Sequence, residues 1–294
     1  IPQGDWSSDV CSSDLEYVCQ MPFDVDTANI GLRWWACQAL QNFTGNGEGV
    51  EWAVNEPFDN TDGHMGISSI TGVEIPHEKG MYTKKIYRMY NSLPKAVTFF
   101  LSKDILTFTE ESWLFGYERF SVWVNNYLDK SKFNIFIRFA VAPDNGHNPN
   151  YYNLTLEERK QIPQRFINIA DKSVHAHNDE DIWNMKSEHS TLPDFSKLDW
   201  AESFTPISCL YRIFDINVHY FGLQTLVERM VCNAQYKGTF QLIRQLVTHC
   251  DGFYGWSMDQ VVERENETKK LLLEKINRPY SEEEKKHMVN VLSE

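Results

Sequence analysis

The stretch Gly45–Phe58 reads GNGEGVEWAVNEPF, and it predicts a glycine-rich turn that leads into a strand. Gly45, Gly47 and Gly49 permit the positive φ angles that a tight approach to a strand requires. From Val50 onward, apolar residues alternate with more polar ones, as in a strand with one buried face. A phosphate-binding loop is the alternative. Because the glycines match neither GxGxxG nor GxxxxGK[ST], we favour the strand.

Length and composition indicate one large acidic domain. The chain has 294 residues, 42% of them hydrophobic, and a formal net charge of −13, which argues against general disorder. It contains no basic tract, so nucleic acid is not expected as the main partner. No uncharged apolar run is long enough to span a bilayer. The six cysteines include no CxxC pair, and we expect a reducing, cytoplasmic setting.

The first fifteen residues differ in character from the rest. Ser7-Ser8-Asp9 and Ser12-Ser13-Asp14 repeat one triplet, which a translated sequencing adaptor would also encode. We interpret residues 1–15 as an assembly artefact, with a native disordered N-terminus as the alternative, and exclude them from the fold prediction. A single domain is expected at 16–277, followed by a polar tail at 278–294.

The remaining pattern predicts mixed α and β structure. Glu16–Pro22 is expected to form a strand, and Asp24 can cap a helix that continues through Leu40. Residues 59–80 are rich in Asp, Gly, Ser and Thr and predict a long hairpin loop. A short helix is expected at 156–164 and an irregular stretch at 174–203. Further strands are predicted at 81–90, 105–109, 118–127, 133–142 and 208–218.

Two helices are predicted at the end of the chain. Apolar residues keep helical spacing from Leu223 to Cys250, over about eight turns or on the order of 40 Å. The second helix should begin at Ser257, where Ser257 and Gln260 can form a capping box, and run to about Ile276. A long helix against a curved antiparallel sheet is a helix-grip arrangement, so the predicted fold class is α+β.

Six short motifs, in this order and near this spacing, resemble the phosphatidylinositol transfer proteins. The resemblance covers about 16–276 and implies a START-like helix-grip fold, whose cavity holds one phospholipid with its headgroup inward and the C-terminal helix as a lid. It implies a soluble, non-enzymatic carrier that exchanges phosphatidylinositol, and a second lipid such as phosphatidylcholine, between membranes. The lipid is cargo, and no cofactor is expected. The motifs are Gly47-Glu48-Gly49-Val50-Glu51, Asn55-Glu56-Pro57, Tyr82-Thr83-Lys84-Lys85-Ile86-Tyr87, Ile169-Ala170-Asp171-Lys172-Ser173, Gly222-Leu223-Gln224 and Glu267-Thr268-Lys269.

Such cargo requires a large apolar space. Two acyl chains contain roughly 30 methylenes, and burying them is worth on the order of 25 kcal/mol before opposing costs. We therefore expect a closed tunnel larger than an ordinary ligand pocket of about 300–1,000 Å³.

The resemblance also implies specific site residues. Thr83, Lys85 and Glu265 match the residues that contact inositol, and alternation along a strand puts Thr83 and Lys85 on one face. Arg212 stands at the position of a phosphate-binding lysine, which keeps the charge and adds a bidentate option. Ser121 replaces a phosphate-contacting threonine and keeps its hydroxyl.

Four positions depart from the family pattern. Leu114 replaces an inositol-contacting asparagine, and Arg119 replaces a cysteine near the headgroup. Leu32 and Phe139 replace a glutamine and a threonine of the phosphate site. Three polar contacts are lost and one cation is gained, so a more anionic headgroup such as that of phosphatidic acid is an alternative hypothesis.

Two further features are carried over from the resemblance. Tyr220 and Phe221 replace a tryptophan pair that contacts membranes, and aromatic side chains suit an interface, although a buried corner is the alternative. Ser173 matches a phosphorylatable serine, where added negative charge could alter loop closure. An ordinary turn serine is the alternative there.

Other functions remain open. His175 and His177, with acidic residues nearby, could bind a metal in an enzyme, but they lie in a polar, loop-like stretch and we favour a solvated loop. A presenter of lipid to phosphoinositide kinases is a third interpretation. We expect a monomer in the cytoplasm that contacts membranes transiently.

Overall fold

An open, mostly antiparallel sheet is the framework of the molecule in the computed structural model, which describes residues 14–90, 103–130, 132–174, 180–219 and 224–279. Its eight strands are Asp14–Met21 (β1), Gly49–Asp59 (β2), Lys79–Arg88 (β3), Thr107–Phe115 (β4), Glu118–Asn125 (β5), Phe133–Ala142 (β6), Gln164–Ile167 (β7) and Ser208–Val218 (β8). They lie in the order β2-β3-β4-β5-β6-β8-β1-β7. β6 and β8 have the predicted bounds, and the α+β class is confirmed.

Three long helices complete the fold, together with a short one. α1 is capped by Asp24, as predicted, and α4 begins with the predicted Ser257–Gln260 capping box. α3 has 25 residues and is about 37 Å long. The helices are Val25–Phe43 (α1), Leu156–Gln161 (α2), Gln224–Thr248 (α3) and Met258–Lys275 (α4).

The three long helices lie on one face of the sheet, which is called the inner face here. The main core joins apolar side chains of β1, β6 and β8 to α1 and α3. A smaller cluster joins Cys37 of α1, Trp52 of β2 and Leu272 of α4. The predicted helix-grip arrangement is therefore present, with α4 packed on α1 and β2.

One edge of the sheet departs from the predicted antiparallel pairing. β7 pairs in parallel with β1, with Glu16 opposite Gln164, and it begins at the residue where the predicted helix was to end. α2 ends earlier because Pro163 follows Ile162, and the residue before a proline disfavours the helical conformation. The residues after Pro163 are therefore extended, and they pair with β1 at the edge of the sheet.

β1 begins two residues before the predicted strand. Asp14 lies opposite Asp215, and Leu15 lies opposite Phe214 and packs against the main core. The domain boundary that was predicted at residue 16 therefore lies inside a strand. Leu15 belongs to that strand because it pairs with β8 and packs against the main core. Residues 1–13 of the expected artefact lie outside the described residues.

The prediction for β4 is also wrong. A strand was expected at 105–109, but a 3₁₀ turn occupies Lys103–Leu106 and β4 continues to Phe115. Glu110 and Glu111 lie in the part of β4 beyond the predicted strand, and both are buried, one on each face of the sheet. Each has hydrogen-bond partners that offset the cost of burial.

The long loop between β2 and β3 covers the outer face of the sheet. Its residues Ile70, Val73 and Ile75 pack with Trp113 and Val122 of β4 and β5. The predicted hairpin loop at 59–80 is therefore confirmed, and it has a structural role: it protects an apolar surface that would otherwise face water.

The glycine-rich turn joins the start of β2 to the end of α4. Gly47 and Gly49 have φ angles of 81° and 104°, and a Cβ on Gly49 would lie 2.4 Å from Thr44 Cα. Glycine is thus required there. The amides of Asn46 and Gly47 donate to the carbonyls of Arg278 and Ile276. Across the described ranges, no helix has the length and apolarity to cross a membrane.

Candidate functional site

Strand register brings the predicted headgroup residues to the inner face. Thr83 lies opposite Ser112 and Lys85 opposite Glu110, and residues in register share a face. Through β5, the Thr83 row continues to Ile137 of the main core. Thr83 and Lys85 are both buried, so their expected placement on one face is confirmed. Their contact with a headgroup stays a prediction.

Lys85 already has a partner inside the protein. Its Nζ lies 3.5 Å from Glu110 Oε2 and 4.8 Å from the centre of the Trp52 ring. Burial alone would raise the pKa of Glu110, but the charge of Lys85 and a hydrogen bond from Tyr87 bring it below the usual value. The carboxylate therefore stays ionised, and Lys85 brings little net charge to the site.

Ser121 forms a hydroxyl pair with its cross-strand neighbour. Its Oγ donates to Ser112 Oγ at 2.7 Å, and both side chains are buried. Hydroxyls both donate and accept, so the pair can change hydrogen-bond direction when a polar group approaches.

Two arginines in the next row lack a carboxylate partner. Arg119 on β5 and Arg212 on β8 both lie opposite Phe139 of β6. Each has a buried Nε that makes no hydrogen bond. Within the described parts of the chain, no carboxylate oxygen of Asp or Glu lies within ion-pair distance of either guanidinium. Desolvation and repulsion from Arg119 lower the pKa of Arg212 to about 10. Desolvation is also the main cause of the lowered pKa of Arg119.

Glu265 is paired with an arginine that the sequence analysis missed. Arg33 of α1 donates from Nε to Glu265 Oε1 at 2.7 Å and from Nη2 to Oε2 at 2.8 Å. Both side chains are less than a tenth exposed. The available signal was a charged residue on the inward side of α1, beside the buried Leu32 and Cys37.

Two cavities border this cluster. The larger has a volume of about 200 Å³ and the smaller about 20 Å³, and Arg33, Leu114 and Arg119 line both. Thr83 and Glu265 also line the smaller cavity. Ser121 and Arg212 line neither of them.

The residues that depart from the family pattern converge on the larger cavity. Leu32, Leu114, Arg119 and Phe139 all line it, although they come from four different elements. Its volume is below the range of an ordinary ligand pocket, about 300–1,000 Å³. At about 200 Å³, it is not the tunnel for two acyl chains that was expected from the sequence.

Ser173 lies on an anchored surface turn. Its side chain is exposed and its amide donates to Asp171 Oδ1. The buried Arg244 of α3 donates to the carbonyls of Ile169, Asp171 and Val174 and so fixes the segment on either side of Ser173. Modification of Ser173 stays a prediction.

Several sequence predictions concern residues outside the described structure. Tyr220 and Phe221 lie there, as do His175 and His177. Among the residues that the structure describes, no three His, Cys, Asp or Glu side chains form a group suited to a metal. Glu180 is near the histidines in sequence, and its Oε2 lies 4.0 Å from Arg244 Nη1.

Comparison with known proteins adds a family relationship. The family described as phosphatidylinositol transfer protein matches residues 14–270. Phosphatidylinositol transfer protein 1 of Dictyostelium discoideum is 27% identical over 265 residues, covering 89% of this chain and 94% of the relative. The beta isoform of phosphatidylinositol transfer protein from mouse is 29% identical over 266 residues, which cover 87% of this chain and 92% of the relative. Human membrane-associated phosphatidylinositol transfer protein 2 is 29% identical over 272 residues, which cover 89% of this chain but 19% of that protein.

Proposed function

The chain belongs to the phosphatidylinositol transfer protein family, and from this we propose that it is a phospholipid carrier. It binds one phospholipid without covalent chemistry, headgroup inward, and exchanges it between membranes. The observation that carries the proposal is the family match over residues 14–270. Two cavities beside α1 and α4 support it, because Arg33 and Arg119 line both and the Thr83 hydroxyl lines the smaller one.

Loading requires the helices to separate from the sheet, since the larger cavity is only headgroup-sized. We propose that α4 is the element that moves. Beside the apolar contact of Cys37 with Leu272, several of its contacts with α1 are polar: Gln41 donates to Thr268, Lys275 donates to the Gln41 carbonyl, and Arg33 pairs with Glu265. Hydrogen bonds can be exchanged for water as they break, so such contacts suit a reversible lid.

Thr83, Lys85 and Ser121 are proposed to contact the headgroup once it enters. The Thr83 hydroxyl lies 3.5 Å from Lys85 Nζ, so one polar group can reach both. In this scheme Lys85 turns from Glu110 toward the lipid phosphate, and the Ser121 hydroxyl reorients from Ser112. We propose that the protein contacts membranes transiently from the cytoplasm, with Tyr220 and Phe221 at the interface, and that it acts as a monomer.

The proposed function is tested by native mass spectrometry of the purified protein followed by lipid extraction. We expect one phospholipid per chain, and transfer of labelled phosphatidylinositol between vesicles without any added enzyme. Bound lipid without transfer would instead favour a presenter to phosphoinositide kinases. An ordered protein without lipid would contradict the carrier, and a stoichiometric metal would favour the enzyme hypothesis for His175 and His177.

A preference for phosphatidic acid is the second candidate, and one observation favours it. Arg119 and Arg212 are two interior cations without a carboxylate partner in the described residues. Their desolvation is costly unless an anion compensates for it. A phosphate monoester can carry two negative charges and accept several charge-assisted hydrogen bonds, whereas the phosphodiester of phosphatidylinositol carries one charge.

Removal of one of these cations should change headgroup preference. We expect Arg119→Leu to lower the bound ratio of phosphatidic acid to phosphatidylinositol roughly tenfold, because a hydrogen bond to a charged group contributes about 1.5–3 kcal/mol. The ratio is measured after equilibration with vesicles that contain both lipids. Arg138→Leu is the matched control, since Arg138 is exposed on the outer face of β6. An equal ratio in both variants and the wild type would refute the second candidate.

A further inference from the structure

The ion pair between α1 and α4 occupies a carboxylate that borders the candidate headgroup site. Glu265 lines the smaller cavity, yet Arg33 Nε and Nη2 take one oxygen each at 2.7 and 2.8 Å. The pair is bidentate and almost fully buried, which is the strong geometry for arginine and carboxylate. A ligand that needs Glu265 as an acceptor must therefore compete with Arg33.

We infer that Arg33 is a specificity-determining residue that competes with the lipid headgroup for Glu265. It disfavours headgroups that bind by donating hydroxyls, such as inositol, relative to headgroups that bind through phosphate oxygens alone. This inference rests on the proposed function, because it assigns the lipid selectivity of the same site.

Hydrogen-bond capacity provides the first argument. An ionised carboxylate has about four lone-pair positions and accepts only. Arg33 uses two of them and neutralises the charge, so the remaining positions are weaker acceptors for a hydroxyl. An inositol ring gains full use of Glu265 only if it displaces the guanidinium, which would then lie buried without its partner.

The position of the arginine provides the second argument. Arg33 lines both cavities, together with Arg119. Burial is the main cause of the lowered pKa of Arg119, and repulsion from the positive charge of Arg33 lowers that pKa further. A phosphate in the larger cavity would be attracted by both cations without breaking the ion pair, whereas a neutral hydroxyl gains little from either charge.

A purely structural latch is the competing explanation for this pair. A latch that only holds α4 against α1 would affect the binding of every phospholipid by a similar factor. A competitor for Glu265 instead changes the ratio between two headgroups. The ratio of bound lipids therefore separates the two roles, whereas total binding does not.

The test equilibrates the full-length protein with vesicles that contain equal amounts of phosphatidylinositol and phosphatidic acid, and then measures the bound lipids by mass spectrometry. We expect Arg33→Leu to raise the ratio of phosphatidylinositol to phosphatidic acid about tenfold, since inositol hydroxyls can then satisfy Glu265. Arg33→Lys keeps the charge but cannot form the bidentate pair, and it should give a smaller rise. It also serves as the folded variant if leucine is not tolerated.

A double-mutant cycle shows whether the effect passes through Glu265. In a Glu265→Gln background, Arg33→Leu should raise the ratio by about threefold at most, because only the loss of a cation near the phosphate remains. Arg88→Leu is the control, because Arg88 pairs with Glu51 on a half-exposed surface. An unchanged ratio in both Arg33 variants would overturn the inference, as would an undiminished tenfold shift in the Glu265→Gln background. A wild-type protein that binds neither lipid would contradict the proposed function itself and is recognised before any variant is compared.

Discussion

Replacement of Arg244 by methionine is expected to lower the free energy of unfolding by about 3–5 kcal/mol, the usual cost of removing one partner from a buried charged network. Arg244 is fully buried. Its guanidinium donates to the carbonyls of Ile169, Asp171 and Val174 at 2.9, 2.7 and 3.1 Å. Methionine has a similar length but no donor, so these carbonyls would lose their partner.

The change should be measured by urea denaturation of the wild type and the variant. Hydrogen exchange should also rise at the segment 168–174, because Arg244 is its attachment to α3. Arg88→Met is the matched control. Arg88 is about a third exposed and pairs with Glu51, so its loss should cost less than about 1 kcal/mol. Equal losses in the two variants would show that the Arg244 network contributes no special stability.

Replacement of Glu111 by leucine is expected to lower the free energy of unfolding by about 2–4 kcal/mol. Glu111 accepts hydrogen bonds from the hydroxyls of Thr71 and Tyr82 at 2.7 and 2.6 Å, and from Ser68. Leucine has nearly the same volume but leaves these hydroxyls without an acceptor, at about 1 kcal/mol or more each. The outer-face loop at 59–80 is attached to the sheet by this carboxylate.

Hydrogen exchange measured by mass spectrometry localises this effect. We expect the substitution to increase the exchange rate more at 60–78 than in α1, whose contacts do not involve Glu111. Glu56→Leu on β2 is the control, because Glu56 is exposed and substitutions at exposed sites usually change stability by less than about 0.5 kcal/mol. If exchange in the loop is unchanged in Glu111→Leu, the apolar contacts of Ile70, Val73 and Ile75 suffice to hold it.

The elements predicted correctly are those with strong local signals. α1 and α4 begin at the side chains that cap them, Asp24 and Ser257. β6 and β8 are largely apolar and bounded by polar turns, and their bounds match the prediction. Capping and hydrophobic periodicity act over a few residues, so a single sequence contains them in full.

The prediction failed where partners are distant in sequence. Glu110 and Glu111 look like solvent-exposed residues until Lys85 and Ser68 are brought beside them. β7 has four residues and becomes a strand because β1 is there to pair with it. Short edge strands and buried charges depend on their tertiary environment more than on their own composition.

The same division applies to the candidate site. The sequence by itself determined the family, the long helices and the placement of Thr83 and Lys85 on one face, because motif order, apolar spacing and strand alternation are properties of the chain. Only the tertiary structure decided that Leu32, Leu114, Arg119 and Phe139 line one cavity. It alone paired Arg33 with Glu265, 232 positions away. The physical reason is that burial and charge pairing depend on distances in space, and α1 contacts α4 although most of the chain separates them in sequence.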